Sequence, residues 1–136
     1  MTFGVIVDRL HRASAAAKLL VSEPGSAALA ARLDQLAASE QTLISCVLLE
    51  TELRRLAMRE GTSQTSVTAL LDRFDMVELD RAVYREAGLL PGRNLRSLDT
   101  LHVAAALRVG ADFMITYDSR QAVAAQASGL PVEAPG

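Results

Sequence analysis

The sequence predicts an α/β fold: a central parallel sheet of about four to five short strands, flanked by helices. Three observations carry this. Short apolar runs with β-branched residues alternate along the chain with longer segments of helical periodicity. Alanine and leucine dominate while aromatic residues are only 4%, a composition that favours helix. Of the 136 residues, 50% are hydrophobic, enough to bury one core and too many for a disordered chain. Strands that alternate with helices lie parallel and are covered on both faces.

Residues 3–8, with Val5-Ile6-Val7, read as a buried strand, and residues 14–21 as a short helix broken by Ser22-Glu23-Pro24-Gly25. Ser26 is the expected N-cap of a helix over 27–38, with Leu29, Leu33 and Leu36 on one face. Residues 42–45 form the second strand. The spacing of Leu49, Leu53 and Leu56 predicts a helix over 46–60 that Gly61 stops. A further helix is expected over 64–74 and a short strand over 76–79, after which Asp80 caps a helix to Ala87. Gly88 to Asn94 reads as a loop. Ser97 is the expected cap of a helix to Arg108, ended by Gly110. Asp112 to Tyr117 reads as a strand, Asp118 caps a helix to Ser128, and residues 130–133 form the last strand. There is no internal repeat, low-complexity tract or linker.

The net charge of −2 argues against a broad basic face for duplex nucleic acid and leaves room for a local positive rim. Cys46, the single cysteine, excludes an internal disulfide and a cysteine-based metal site, and reads as a small buried residue. No charged N-terminal region followed by a long apolar stretch is present, and no run approaches the ~18 apolar residues of a membrane span. The expectation is a cytoplasmic protein with no membrane partner.

Four acids stand where core or strand-end structure belongs. Asp8 ends the first apolar run and Asp118 ends the run 113–117, and open α/β sheets bind ligands at that carboxyl edge. At roughly 100° per residue, Glu52 falls between Leu48 and Leu56 inside the apolar arc of its helix. Glu50 lies at the arc's edge towards Arg54 and reads as solvated. Asp99 opens a helix that is otherwise nearly all apolar and therefore buried. Each acid has a plainer explanation. Asp8 fits a loop, Asp118 fits a capping box with Gln121, Glu52 fits a pair with Arg55 or Arg59, and Asp99 fits the helix dipole. His102, one turn after Asp99, is either an outer partner of the acids or a satisfied buried histidine, the second being the commoner case. His11 contacts substrate or lies in a solvated loop. No dinucleotide fingerprint, phosphate loop, zinc-protease helix or nucleophile elbow occurs. Carboxylates convergent without a histidine or cysteine cluster would suit Mg²⁺ or Mn²⁺.

The order of these acids resembles the PIN-domain family, specifically the VapC-type ribonuclease toxins of toxin–antitoxin pairs, over nearly the whole chain. Leu95-Arg96-Ser97-Leu98-Asp99-Thr100-Leu101-His102-Val103-Ala104-Ala105-Ala106 is similar to that family's third-acid motif. Thr116-Tyr117-Asp118-Ser119-Arg120 is similar to its last motif, and Thr51-Glu52-Leu53-Arg54-Arg55 to its second. Residues 14–20 and Ser22-Glu23-Pro24-Gly25-Ser26 match its N-terminal region. One departure stands out: Arg9-Leu10-His11-Arg12-Ala13 separates Asp8 from Ser14, so an ungapped alignment puts the first acid's place on Arg12. With about four extra residues that place is Asp8, which directly follows the strand.

The resemblance implies a single PIN-like domain over residues 1–136 and phosphodiester hydrolysis in RNA. It implies that Asp8, Glu52, Asp99 and Asp118 are the catalytic acids and hold Mg²⁺ or Mn²⁺, with Ser14 and Thr116 supporting them. Arg9, Arg12, Lys18, Arg96 and Arg120 are candidates for contact with RNA or antitoxin, or are solvated surface cations. A VapB-type antitoxin and a homodimer are the implied partners, the latter also suggested by the leucine content of the helices over 27–38 and 46–74. Three other readings remain: a catalytically impaired PIN-like protein that only binds its antitoxin, a different Mg²⁺-dependent phosphotransfer enzyme, and a helix-rich structural module whose acids are all caps.

Overall fold

The computed structural model describes residues 2–5, 17–20 and 24–136. The chain enters through β1 (Thr2–Val5), α1 (Ala17–Leu20), α2 (Ser26–Ala38), β2 (Thr42–Cys46), α3 (Leu48–Glu60) and α4 (Gln64–Leu71). It continues through β3 (Asp75–Val77), α5 (Arg81–Gly88), α6 (Ser97–Arg108), β4 (Met114–Ile115), α7 (Ser119–Ala127) and β5 (Val132–Glu133). The five strands form one parallel sheet in the order β3-β2-β1-β4-β5. Phe3 pairs with Leu43, Val5 with Ile115, and Cys46 with Val77.

Right-handed crossovers explain the layering. The chain moves outward from β1 to β3, then returns to β4 on β1's other side, so the helices of the two halves cover opposite faces. Within β4 the side chains alternate accordingly. Ile115 packs into the cluster of Leu29, Leu33, Leu49, Leu53, Leu56 and Leu70 from α2, α3 and α4. Met114 packs with Val103 and Ala106 of α6 and Ala125 of α7. A third cluster joins Val83 and Ala87 of α5 to Leu101 and Ala104 of α6. The leucines of α2 to α4 are buried in the core of one chain, except Leu48, which is partly buried against α5 and α6. They therefore lend no support to a second copy.

The boundaries show where local chemistry was outvoted. Gly25, at φ 90°, takes the N-cap position of α2, so Ser26 is the first helical residue rather than the cap. Arg96 holds the extended cap position of α6, which moves Ser97 inside the helix, where its carbonyl accepts from the Thr100 hydroxyl at 2.7 Å. Cys46 joins β2, not the following helix, because it pairs with Val77. The expected helix over 64–74 stops at Leu71, and Phe74 is buried just before β3. The expected strand over 112–117 contracts to Met114–Ile115, although the Thr116 N–H still donates to the Glu133 carbonyl of β5 at 3.1 Å. Asp80 and Asp118 cap α5 and α7 as expected. Ile6 to Asp8, and residues 14–16 and 21 of the expected first helix, lie outside the described residues.

Candidate active site

Helices in a parallel sheet run back against their strands, so α3, α6 and α7 all begin at the carboxyl edge. The sheet order reverses between β1 and β4, which makes that edge the place where open α/β sheets form a crevice. Glu52 is in the second turn of α3, Asp99 in the first turn of α6, and Asp118 at the N-cap of α7. Helix N-termini carry partial positive charge and favour carboxylates there.

Glu52 is separated from its neighbour Glu50 as the helical angle predicts. Glu50 is exposed and accepts from Arg54 at 3.0 Å. Glu52 faces inward, and its partner is neither Arg55 nor Arg59. Its Oε1 lies 2.7 Å from Nε2 of His102, a residue with 0% exposure. Its Oε2 is buried and has no hydrogen-bond partner among the described residues. The other ring nitrogen, Nδ1, is 3.1 Å from Sγ of Cys46, the last residue of β2. Burial of the ring opposes its charge, but the hydrogen bonds and electrostatic attraction of Cys46 and Glu52 outweigh that and push its pKa up to about 10.

Asp118 and Asp99 are joined through Gln121. Asp118 Oδ1 accepts from the backbone N–H of Arg120 at 2.7 Å and of Gln121 at 3.1 Å, so both cap bonds fall on one oxygen. The Gln121 side chain does not return to the Asp118 backbone as in a full capping box. Thr116 takes that place, its Oγ1 accepting from the Asp118 N–H at 3.1 Å. Gln121, with 0% exposure, accepts from the Thr116 hydroxyl at 2.6 Å and donates through Nε2 to the Asp99 carbonyl at 3.2 Å. Asp99 itself is buried, at 1% exposure, one helical turn before His102. The Glu52 contact, the α6 turn and the Gln121 bridge thus tie three acids from three elements into one continuous arrangement.

Asp8, Arg9, Arg12 and Ser14 lie outside the described residues. Among the described residues, no group of three or more His, Cys, Asp or Glu side chains is close enough to hold a metal by itself. Thr116, a candidate supporting residue, meets Asp118 through the backbone N–H from which its Oγ1 accepts. Lys18 donates to the Pro24 carbonyl at 2.8 Å and sits 4.7 Å from the centre of the Tyr117 ring, beside the end of β4. Arg96 and Arg120 are exposed. Burial raises the pKa of Tyr117, whose hydroxyl donates to the Pro135 carbonyl at 2.6 Å.

Sequence reasoning missed two members of this arrangement. Gln121 reads as the third residue of a cap, and only its burial reveals the bridge to Asp99. Cys46 reads as an inert core residue, and nothing local links it to a histidine 56 positions away. His102 was legible as a buried, satisfied group, and the structure makes it the partner of an acid as well.

A PIN-domain family model matches residues 12–127, a span that begins after Asp8. The chain is 38% identical over 129 residues to ribonuclease VapC35 of Mycobacterium tuberculosis, covering 90% of this chain and 93% of that protein. It is 35% identical over 125 residues to ribonuclease VapC46 of the same species, and 32% identical over 127 residues to ribonuclease VapC47, with the same coverage.

Proposed function

The chain belongs to the PIN-domain family, and we propose that it is a divalent-metal-dependent endoribonuclease of the VapC type. The observation that carries this reading is the linkage of Glu52, Asp99 and Asp118 at one sheet edge through His102 and Gln121. The names of its relatives supply the substrate class, RNA.

The donors fit a hard divalent cation. They are all oxygens, Glu52 Oε2 is buried without a partner among the described residues, and Asp99 is buried one helical turn before the His102 that holds Glu52. Carboxylates that converge on one spot repel, and a cation between them reverses that repulsion. Glu52, Asp99 and Asp118, with Asp8 as the fourth acid from the segment after β1, would hold Mg²⁺ or Mn²⁺. Such an ion, when bound, lowers the pKa of a coordinated water and offsets negative charge on the scissile phosphate. The chain's own residues do the rest. His102 and the Asp118 cap fix carboxylate oxygens in place, and Gln121 locks the first turn of α6 to the first turn of α7. The exposed Arg96 and Arg120, with Arg12 and Lys18, are the cations best placed in sequence to meet an RNA backbone. Ser14 would support the first acid. Single-stranded or looped RNA suits a cleft at a sheet edge better than an A-form helix.

Two partners accompany the reading. One is a VapB-type antitoxin that covers the acidic edge, and the other is a second copy of the chain. No described helix is long and apolar enough to cross a membrane.

The test is cleavage of single-stranded RNA by the purified chain with Mg²⁺ or Mn²⁺. Cleavage abolished by EDTA and by Asp99→Asn supports the reading. Hydrolysis of small phosphate esters without RNA cleavage would point to a different phosphotransfer enzyme. No cleavage of any RNA, with antitoxin binding intact, would point to a partner-binding protein that has lost its chemistry. Asp8→Asn against Arg12→Ala decides the first acid: loss in the former alone assigns it to Asp8.

A further inference from the structure

Glu52 lies within an apolar arc, with Leu49, Leu53 and Leu56 buried on the same helix. An ionised carboxylate only accepts hydrogen bonds, so its 2.7 Å contact requires hydrogen on His102 Nε2. This holds for either charge state of the ring. In the neutral ring Nδ1 accepts from the Cys46 thiol, and in the charged ring Nδ1–H donates to the sulfur. In both cases Cys46 anchors the ring from β2 while Nε2–H grips α3's glutamate. The neighbours of His102 on α6, Leu101, Val103 and Ala104 to Ala106, are all apolar and buried. An apolar side chain would fill that space with no cost of desolvation. The polar pair instead bonds one oxygen of Glu52 and leaves the other, Oε2, buried without a partner among the described residues.

We propose that Cys46 and His102 are a positioning pair that commits Oε1 of Glu52 to the protein and presents Oε2 alone to a divalent cation. The proposal rests on the metal-dependent reading above. It adds that two residues which never touch the ion set how Glu52 meets it. Outer partners that orient a metal ligand act in this way, and their loss typically costs about 10- to 100-fold in metal affinity.

The experiment is Mn²⁺ binding to the full chain, followed by the loss of the free-ion electron paramagnetic resonance signal, with each variant's Tm measured in EDTA. His102→Leu should bind Mn²⁺ about 10- to 100-fold more weakly. His102→Asn, whose amide reaches towards Cys46 and falls short of Glu52, should bind as weakly as the leucine variant. His102→Gln restores a donor near the Nε2 position and should recover most of the affinity. Cys46→Ala should show a smaller loss that Cys46→Ser reverses. Saturating Mn²⁺ should restore RNA cleavage to His102→Asn, because positioning is lost and no reacting group is. If the leucine variant does not fold, the asparagine and glutamine variants decide by the same readout. His102→Asn binding Mn²⁺ like the unaltered chain, while Glu52→Gln does not bind it, would overturn the proposal and leave the metal reading intact. No Mn²⁺ binding by the unaltered chain would overturn both.

Discussion

On one face of the sheet, α2, α3 and α4 bury leucine against leucine. On the other, α6 and α7 bury alanine beside Asp99, His102 and Gln121. The first face is held by apolar burial, which has no direction and tolerates adjustment. The second is held at its upper edge by hydrogen bonds, which fix atoms at set distances. Alanine is what makes this possible: small side chains bring α6 close enough to the sheet for His102 to reach Cys46 and for Gln121 to reach the Asp99 carbonyl. Asp99, His102, Asp118 and Gln121 belong to the second half, while Glu52 and Cys46 reach them from α3 and β2, so substitutions deep among the leucines should separate stability from site geometry.

The largest effect is expected from Asp99→Asn, which keeps the shape and removes one charge. RNA cleavage should fall by more than about 100-fold, beyond the range seen for a metal's outer partners, with Tm nearly unchanged. On the leucine face, Leu53→Ala should cost about 2–5 kcal/mol in urea unfolding while the folded fraction cleaves RNA normally. If that variant instead loses activity in its folded fraction, the two halves are not separable. Gln121→Leu leaves the Thr116 hydroxyl and the Asp99 carbonyl without their bridge. It should cost about 1–3 kcal/mol and lower cleavage more than Leu53→Ala does. Asp118→Ala removes both cap bonds and should cost about 0.5–2 kcal/mol. Asp118→Asn keeps an acceptor, so it should retain that stability while cleavage still falls, which splits the cap from the charge. The smallest effect concerns Tyr117, which packs partly buried against the leucine cluster. Its pKa is raised by burial, so the folded state holds the phenolic proton more tightly than the unfolded state. The stability this contributes is complete below pH about 10, the unfolded value, and is lost as pH rises through the folded one. Tm of the unaltered chain should therefore drop relative to Tyr117→Phe above pH 10 and match its trend below.

Much of this division was legible in the residues. Asp80 and Asp118 announce their caps because the bonds run to backbone N–H groups two or three positions on. Glu52 is distinguished from Glu50 by helical angle alone, since one falls among leucines and the other beside Arg54. The caps assigned to Ser26 and Ser97 failed because Gly25 and Arg96 adopt the backbone conformations that start each helix one residue earlier. The leucines of α2 to α4 suggested surplus for an interface, yet among the described residues all of them but the partly buried Leu48 lie in the core. Cys46–His102 and Gln121–Asp99 were invisible because they depend on how β2, α6 and α7 pack, and no spacing along the chain encodes that. The first acid, Asp8, rests on the sequence alone.

The most direct measurement is anomalous scattering from a crystal of the chain soaked in Mn²⁺. The account predicts a peak at the carboxyl edge of the sheet, within bonding distance of Asp99 and of Glu52 Oε2, with Asp118 and Asp8 around it directly or through water. A peak elsewhere, or Glu52 meeting the ion through the oxygen that His102 holds, would contradict it.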